Sequence, residues 1–269
     1  MVHFELVARE RRLAFGEVAQ LYDRRRPSYP RALVADVLEL AGLDRTSRVL
    51  EVGAGTGKAT VLFAPSGVSL LALEPSPPMA ALARRQCARF ANVEIEESEF
   101  ERWEPGGSRF QLLYAATAWH WLEPELRYRK ARSLLRPGGL LAAFWNRPDW
   151  AASPQRDALR EAYRRAAPEL LADGPMHPGH DLSHELLGDW RREIEQAPGL
   201  ARPQTRDYRC TYEYSAAEYA ELLQTHSDHL LLPEPRRRRL LSGVASVIER
   251  NGGTLRIDYV TRLCLARAC

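Results

Sequence analysis

Residues 49–57 read VLEVGAGTG, and residues 71–74 read LALE. A short apolar run, a glycine turn and a second apolar run that ends in a carboxylate predict the start of a βαβ unit. Gly53, Gly55 and Gly57 have no Cβ, so the backbone can turn sharply there and a ligand can lie against it. Open α/β sheets bind ligands at the carboxyl ends of their strands. Glu74 stands at such an end, where a carboxylate can accept hydrogen bonds from both hydroxyls of a ribose.

The spacing of the glycines separates two classes of cofactor. The dinucleotide fingerprint G-x-G-x-x-G places its third glycine three residues after the second, which is position 58 in this chain. Lys58 stands there, and Gly57 instead completes the pattern E-x-G-x-G-x-G from Glu51. This pattern resembles the first motif of the class I S-adenosylmethionine-dependent methyltransferases.

Further segments resemble the same family in chain order. FQLLYAATAWHW (residues 110–121) is similar to the fourth strand and following loop of its small-molecule branch, the methyltransferases of types 11 and 12, which carry a His-Trp pair there. RPGGLLAAFWN (136–146) resembles their turn into strand five, and FGEVAQLYD (15–23) with RPSYP (26–30) resembles their N-terminal cap. The resemblance implies S-adenosyl-L-methionine as the cofactor and S-adenosyl-L-homocysteine as its product.

The fold class predicted from these patterns is α/β. The resemblance implies a Rossmann-like, seven-stranded mixed sheet of order 3-2-1-4-5-7-6, with the last strand antiparallel, helices on both faces and a helical lid insertion. Right-handed crossovers are compatible with the first five strands in this order. We expect those strands at residues 49–52, 68–73, 93–95, 110–115 and 140–145. The predicted organisation is an N-terminal helical cap (1–47), a cofactor-binding core (48–146), a helical insertion or substrate lid (147–204) and the C-terminal part of the sheet (205–269).

By resemblance, the glycine turn lines the amino-acid portion of the cofactor, Glu74 binds its ribose, and the end of strand four passes beneath its sulfur. Glu99 and Phe100 match the pair that contacts adenine, although the acidic string 94–101 allows other registers. Arg26 is the expected partner of the cofactor carboxylate, in a run of three arginines that leaves the inward-facing one open. The predicted cofactor-binding residues are Tyr22, Arg26, Glu51, Gly53, Ala54, Gly55, Gly57, Glu74, Glu99, Phe100, Ala115, Ala116 and Thr117.

Methyl transfer from a sulfonium requires mainly that donor and acceptor be aligned, and it needs a base only if the acceptor must lose a proton. His120 is the candidate catalytic residue because it follows strand four and a neutral imidazole can take a proton near physiological pH. Alternatively, it anchors the next helix between two tryptophans. The residues expected to contact the acceptor are Tyr29, Trp119, Trp121, Asn146, Trp150, Tyr163, His177 and His180.

The composition restricts the partners. A net charge of +3 is small for 269 residues, and an arginine bias spread over the whole chain disfavours a nucleic-acid surface, which would cluster on one face. The run at 236–239 is the one cluster, and we interpret it as a solvated helix start rather than a phosphate-binding patch. No apolar run of about 18 residues and no secretory signal is present, so we expect no membrane span.

The cysteines lack the spacing of a zinc site, so no metal is predicted, and a reducing cytoplasm is the expected compartment. Nothing in the sequence specifies an oligomeric state. The favoured hypothesis is a methyltransferase that acts on an O, N or C atom of a small molecule. The alternatives are a protein or nucleic-acid methyltransferase, which would need a recognition face, and a non-catalytic cofactor-binding module, which would lack an acceptor pocket.

Overall fold

A computed structural model describes residues 18–173, 177–178 and 190–269 of the chain. The strands are β1 (Arg48–Val52), β2 (Ser69–Leu73), β3 (Val93–Glu96), β4 (Phe110–Ala116), β5 (Leu135–Asp149), β6 (Gln204–Ser215) and β7 (Thr254–Arg267). They form one seven-stranded sheet of order β3-β2-β1-β4-β5-β7-β6. β1 to β5 are parallel, whereas β7 is antiparallel to β5 and to β6. The predicted strand order and the reversed last strand are therefore confirmed.

Helices connect the strands. They are α1 (Ala19–Arg25), α2 (Arg31–Ala41), α3 (Thr60–Phe63), α4 (Pro77–Cys87), α5 (Pro124–Leu134), α6 (Arg156–Ala166), α7 (Leu170–Asp173), α8 (Trp190–Gln196), α9 (Ala216–Leu223), α10 (Ser227–Leu230) and α11 (Glu234–Arg250). The start of α9 is fixed by a capping box, in which Ser215 and Glu218 each accept a hydrogen bond from the other's backbone N–H. Within the ranges that the structure describes, each helix is too short or too polar to cross a bilayer.

The sheet is covered on both faces, which explains why its central strands are apolar along nearly their whole length. Side chains alternate between the two faces. Leu50 and Val52 pack on one face with α5 and α8, and Val49 packs on the other with α2 and α3. The two apolar layers hold the glycine turn at a fixed position above the carboxyl end of β1.

β5 is longer than the sequence indicated. β4 stops at Ala116, which pairs with Phe144, while β5 continues to Asp149. Over this extension β5 pairs with β7 alone, ending with Asp149 opposite Asp258. The prediction of a strand over 140–145 was therefore too short, because an antiparallel partner distant in sequence satisfies the additional backbone groups. The extension rises beyond the carboxyl ends of the central strands.

A third apolar cluster packs beside this extension. It joins α6, α9 and α11 to the upper parts of β6 and β7, with Tyr163, Tyr219 and Tyr259 among its buried side chains. The segment predicted as an insertion thus contributes α6 to this cluster. Its last helix, α8, instead covers a face of the sheet, where Trp190 stacks on Trp145 with ring centroids 5.0 Å apart. The described part of the insertion is therefore divided between two layers.

The described part of the predicted cap consists of α1 and α2. Arg25 at the end of α1 forms ion pairs with Glu218 at 2.8 Å and with Glu221 at 2.5 Å, both on α9. Residues almost 200 positions apart in the chain are thereby joined over the carboxyl edge of the sheet.

Candidate active site

The glycine turn after β1 lies against the carboxyl end of β2. The N–H groups of Gly53 and Ala54 both donate to the carbonyl oxygen of Leu73 at 2.9 Å. The N–H of Gly55 donates to Oε2 of Glu74 at 2.7 Å, and Oε1 of Glu74 accepts from the N–H of Ser76 at 2.9 Å. An ionised carboxylate can accept about four hydrogen bonds, so Glu74 can hold the turn and bind ligand hydroxyls at the same time.

The three glycines of the turn have different structural roles. All three have positive φ angles, of 73°, 58° and 86° at Gly53, Gly55 and Gly57. A Cβ at Gly53 would lie 2.5 Å from the Cβ of Ala118, and one at Gly57 would lie 3.2 Å from the Cα of Ala83 in α4. A Cβ at Gly55 would meet nothing within 4 Å. Gly53 and Gly57 therefore permit close packing, whereas Gly55 borders open space in which a ligand can approach the backbone.

Glu51 lies beneath the turn. Its side chain is fully buried, and its Oε2 accepts hydrogen bonds from the hydroxyls of Thr60 at 2.6 Å and Tyr114 at 2.8 Å. Burial raises the pKa of Glu51 to about 7, because these two hydrogen bonds offset only part of the desolvation of the charge. Through these two contacts this predicted cofactor residue joins β1 to α3 and to β4.

The end of β4 carries strained backbone. Ala115 is buried, Ala116 is partly exposed, and Thr117 has a φ of 56°, which is costly for a β-branched residue. Such strain concentrates at functional sites. The N–H of Thr117 donates to the carbonyl of Phe144 at 2.8 Å, and its hydroxyl shares a hydrogen bond with the Tyr29 hydroxyl at 2.9 Å. A predicted acceptor residue and a predicted cofactor residue thus meet at this strand end.

Tyr22 and Arg26 of the cap lie together, with the guanidinium 5.1 Å from the centre of the Tyr22 ring. Arg26 donates to Oγ1 of Thr225 at 2.8 Å and to its carbonyl oxygen at 2.9 Å. The arginine expected to bind a cofactor carboxylate is therefore engaged by the loop after α9 in this structure. A carboxylate must add to these bonds or replace them.

Two polar side chains hold the cap segment that follows Arg26. Asn146 on β5 donates to the carbonyl oxygens of Pro27 at 3.3 Å and Ser28 at 3.0 Å. The hydroxyl of Tyr212 on β6 accepts from the N–H of Ser28 at 3.0 Å. The cap is thereby fixed over the strand ends, between the core and the C-terminal part of the sheet.

His120 lies in a short 3-10 turn after β4. Its Nδ1 accepts a hydrogen bond from the indole N–H of Trp145 at 3.1 Å. The neutral ring must then carry its proton on Nε2. Burial, with the positive charge of Arg127 and other nearby arginines, lowers the pKa of His120 to about 4. The side chain is nevertheless exposed by surface area.

Three other predicted site residues lie in the core. Phe100 and Trp119 are buried together under α5, with ring centroids 6.3 Å apart, and Trp150 is fully buried 6.4 Å from the ring of Tyr219. Their large apolar areas stabilise the fold through burial. In this structure the three rings pack against other side chains of the protein.

Glu99 and Trp121 are partly exposed near the same strand ends. Glu99 forms an ion pair with Arg102 at 3.2 Å, and the Trp121 ring lies 4.7 Å from that of His120. Of the two tryptophans in the Trp-His-Trp sequence, Trp121 is thus the partly exposed one, and its ring lies beside the histidine.

Two predicted acceptor contacts, Tyr163 and His177, belong to a buried cluster with Asp228 and His229. The Tyr163 hydroxyl lies 2.9 Å from Nε2 of His229, and Asp228 contacts Nε2 of His177 and Nδ1 of His229 at 2.8 Å each. The sequence did not indicate this cluster, since its two parts are about fifty residues apart. His180, the remaining candidate, lies outside the described residues.

Sequence reasoning also missed Thr225 and Tyr212. Thr225 follows α9 in a turn with no recognisable motif. Tyr208, Tyr212 and Tyr214 stand at even positions of β6, and a period of two places them on one face of a strand. That alternation was a usable signal for a tyrosine-rich face.

Comparisons with known proteins agree with this geometry. The methyltransferase domain family matches residues 49–139. A demethylmenaquinone methyltransferase of Tropheryma whipplei is 33% identical over 213 residues, which cover 73% of this chain and 85% of that protein. An uncharacterized methyltransferase of Mycobacterium tuberculosis is 33% identical over 143 residues, 52% of this chain and 55% of the relative. The chain thus spans about half the length of that relative.

A solved structure of a proposed type II methyltransferase from Anaeromyxobacter dehalogenans superposes with a TM-score of 0.63 and 23% identity, over 90% of this chain and 97% of the other. This likeness concerns the fold, and it extends across the core and the regions that cover its carboxyl edge.

Proposed function

This chain belongs to the S-adenosylmethionine-dependent methyltransferases, and we propose that it transfers a methyl group to an O, N or C atom of a small molecule by in-line displacement. The observation that carries the proposal is the pairing of Gly55 with Glu74 at the carboxyl edge of the sheet. It sets a carboxylate beside an open stretch of backbone, which suits the ribose and amino-acid portions of the cofactor.

The residues at this edge fit the cofactor. When bound, S-adenosylmethionine supplies a methyl group already activated by a positively charged sulfur. Glu74 accepts hydrogen bonds from the ribose hydroxyls, and the backbone from Gly53 to Gly55 lines the amino-acid portion. Thr117, where β4 ends, and Tyr29 shape the space next to the reacting atoms. The protein thus contributes alignment and exclusion of water, which can account for several kcal/mol of the barrier.

A small acceptor is supported by the way the edge is covered. The cap is joined to α9 through Arg25, to the following loop through Arg26, and to β5 and β6 through Ser28. Such an enclosed edge suits a molecule that enters a cleft rather than a nucleic-acid or protein surface. The relative from Tropheryma whipplei is by name a methyltransferase of demethylmenaquinone, a small molecule.

His120 is suited to orient the acceptor. Because Nδ1 accepts from Trp145, the ring proton lies on the remaining nitrogen, and a pKa near 4 keeps the ring neutral at physiological pH. A neutral imidazole with an exposed N–H donates a hydrogen bond to an acceptor oxygen or nitrogen. It is poorly placed to remove a proton, since its lone pair is already occupied. We therefore favour orientation over base catalysis.

Calorimetric titration tests the cofactor. We expect S-adenosylhomocysteine to bind with a dissociation constant in the low micromolar range or below. A low micromolar constant corresponds to a binding free energy of about 7 to 8 kcal/mol in magnitude. NAD should give no signal. Tight NAD binding without a response to S-adenosylhomocysteine would refute the proposal.

The acceptor class is tested with S-adenosylmethionine labelled on the methyl group and a cell extract separated into metabolites, protein and nucleic acid. Label in the metabolite fraction supports a small acceptor. Label confined to protein or nucleic acid would favour the macromolecular alternative, and no transfer to any fraction despite cofactor binding would favour a binding module.

Histidine variants distinguish the two roles of His120. We expect His120→Ala to lower kcat/KM roughly a hundredfold with cofactor affinity unchanged, and His120→Gln, which keeps a donor, to recover much of the activity. The wild-type rate should show no inflection from His120 between pH 6 and 8. If His120→Gln is as inactive as His120→Ala and the rate rises through an inflection in that range, the histidine is a base.

A further inference from the structure

The cluster of Tyr163, His177, Asp228 and His229 lies in the interior and is not used by the proposed reaction. Both imidazoles have no exposed surface. The carboxylate of Asp228 stands between them, at 2.8 Å from Nε2 of His177 and 2.8 Å from Nδ1 of His229. One atom each from His177, Asp228 and His229 can be chosen so that all three lie within 4.8 Å of one another. Two imidazole nitrogens and a carboxylate oxygen thus lie close together in the interior.

This donor set is that of a metal centre. Two histidines and one carboxylate are typical ligands of Zn²⁺ and of other divalent transition metals. Tetrahedral coordination with bonds of about 2.0 to 2.1 Å separates neighbouring ligand atoms by about 3.3 Å. The present separations of 2.8 Å are hydrogen-bond distances. Side-chain rotations that open each of these two contacts by about half an ångström, and that bring the two imidazole nitrogens to a similar separation, would admit the ion.

The surroundings of His229 provide the outer partner that a metal-bound histidine needs. With a metal on Nδ1, the neutral ring carries its proton on Nε2, which lies 2.9 Å from the hydroxyl oxygen of Tyr163. Donation from a ligating histidine to a fixed oxygen sets its tautomer and orientation. Tyr163 is itself fully buried, so its hydroxyl is not exposed to solvent.

A second observation points to a ligand at this place. His226 is buried beside the cluster, with its ring centroid 5.3 Å from that of His229, and neither of its nitrogens has a hydrogen-bond partner among the described residues. Burying a polar group without a partner is costly. A third imidazole next to the other two offers a further nitrogen ligand after rotation of its side chain.

We propose that His177, Asp228 and His229 bind a divalent transition-metal ion such as Zn²⁺, with Tyr163 orienting His229. The ion would join the predicted insertion, which supplies His177, to α10, which supplies the other two ligands. Since Thr225 precedes α10 and binds Arg26, the ion would also steady the loop that holds the cap. Its role is structural, and the proposal does not depend on methyl transfer.

Asp228 supplies the single negative charge among the three ligands. We therefore expect the ion to be bound reversibly and to be removed by a chelator.

The test uses the full-length protein freed of metal with EDTA and titrated with ZnCl₂. We expect one Zn²⁺ per chain and, at a free concentration about a hundred times the dissociation constant, a rise in Tm of roughly 5 to 10 °C. Equimolar Co²⁺ should give visible absorption of a nitrogen- and oxygen-coordinated ion. The spectrum needs only the wild-type protein, so it remains decisive if a variant fails to fold.

Variants locate the site. Asp228→Asn, which nearly preserves shape, and His229→Gln should each lower Zn²⁺ affinity at least tenfold. Tyr163→Phe, which removes only the outer partner, should weaken it by about ten- to a hundredfold. His120→Gln, a histidine outside the cluster, is the matched control and should bind Zn²⁺ like the wild type.

Two results would overturn the proposal. The first is wild-type protein that shows neither stoichiometric Zn²⁺ binding nor a Co²⁺ spectrum, which would mean that the four residues form a hydrogen-bonded network only. The second is Zn²⁺ binding that survives unchanged in both Asp228→Asn and His229→Gln, which would place the ion elsewhere.

Discussion

The core around the glycine turn and the region that covers it are built in different ways. In the core, the N–H of Gly55 and the Glu74 carboxylate that accepts from it are only 19 residues apart. In the covering region, Asn146 meets Thr261, Arg26 meets Thr225 and Tyr163 meets His229, at separations of 115, 199 and 66 residues. The glycine turn is therefore encoded locally, whereas the covering region is assembled from segments that are far apart in the chain.

This difference predicts which substitutions should cause a large loss of stability. A residue that shapes the local turn is fixed by backbone geometry and by close packing, so a single methyl group is enough to disturb it. Many contacts of the covering region involve partly exposed polar side chains, each of which contributes little to stability. We expect small substitutions in the core to lower stability strongly, and larger substitutions in the covering region to lower it only weakly.

Gly53→Ala should have the largest effect. Its φ of 73° is costly for any residue with a Cβ, and the added methyl would lie 2.5 Å from Ala118. Backbone strain and overpacking together should lower the free energy of unfolding by roughly 2 to 5 kcal/mol, measured by urea denaturation. Gly55→Ala is the matched control, because it meets open space and should lose only about 1 to 2 kcal/mol. Equal losses of unfolding free energy in the two variants would contradict the conclusion that Gly53 is closely packed and Gly55 is not.

Glu51→Gln should alter the pH dependence of stability. The pKa of the Glu51 carboxyl rises on folding from 4.5 to about 7, so between these values the folded protein holds a proton that the unfolded chain has released. Stability from this group is therefore full below pH 4.5 and is lost as the pH rises to 7, by about 3 kcal/mol.

The neutral amide removes this dependence. Unfolding free energies are measured at pH 5 and at pH 8. Relative to the wild type, Glu51→Gln should be about 2 to 3 kcal/mol more favourable in unfolding free energy at pH 8 than at pH 5. Glu94→Gln, on an exposed side chain, controls for effects of charge in general. A constant difference between wild type and Glu51→Gln would show that Glu51 is ionised throughout.

Glu74→Ala should weaken S-adenosylhomocysteine binding ten- to a hundredfold, about 1.4 to 2.8 kcal/mol, because two ribose hydroxyls lose a charged acceptor. Glu74→Gln keeps one acceptor oxygen, so its loss should be smaller. Calorimetry on both variants gives the order directly. Unchanged affinity in a folded Glu74→Ala protein would mean that the carboxylate serves only the backbone of the turn.

Arg25→Ala should have the smallest effect. Its ion pairs with Glu218 and Glu221 join the cap to α9 but lie partly in solvent. We expect Tm to fall by no more than about 2 to 4 °C, and the difference to shrink at high salt. A fall in Tm of 10 °C or more in a thermal scan would show that the covering region is as sensitive to substitution as the core.

The sequence could predict the core because its signals are local. The motif from Glu51 to Gly57 fixes a turn, and the apolar period of each strand fixes which faces are covered. The same reasoning could not show that Phe100, Trp119 and Trp150 are buried, since an aromatic residue near a strand end is compatible with a site or with a core. Nor could it foresee the tautomer of His120, which depends on an indole N–H from Trp145 on another strand.

By itself, the sequence determined the α/β class, the position of the glycine turn and the place of Glu74 at the end of a strand. These features follow from residue type and spacing over a few tens of positions, where backbone geometry leaves few alternatives. The sheet order was instead implied by the resemblance to the methyltransferases. Only the tertiary structure decided that Glu51 lies beneath the turn, that Arg26 binds Thr225, and that His177 meets Asp228. Such contacts depend on the packing of segments far apart in the chain, and pairings across those distances leave no period or motif in the sequence.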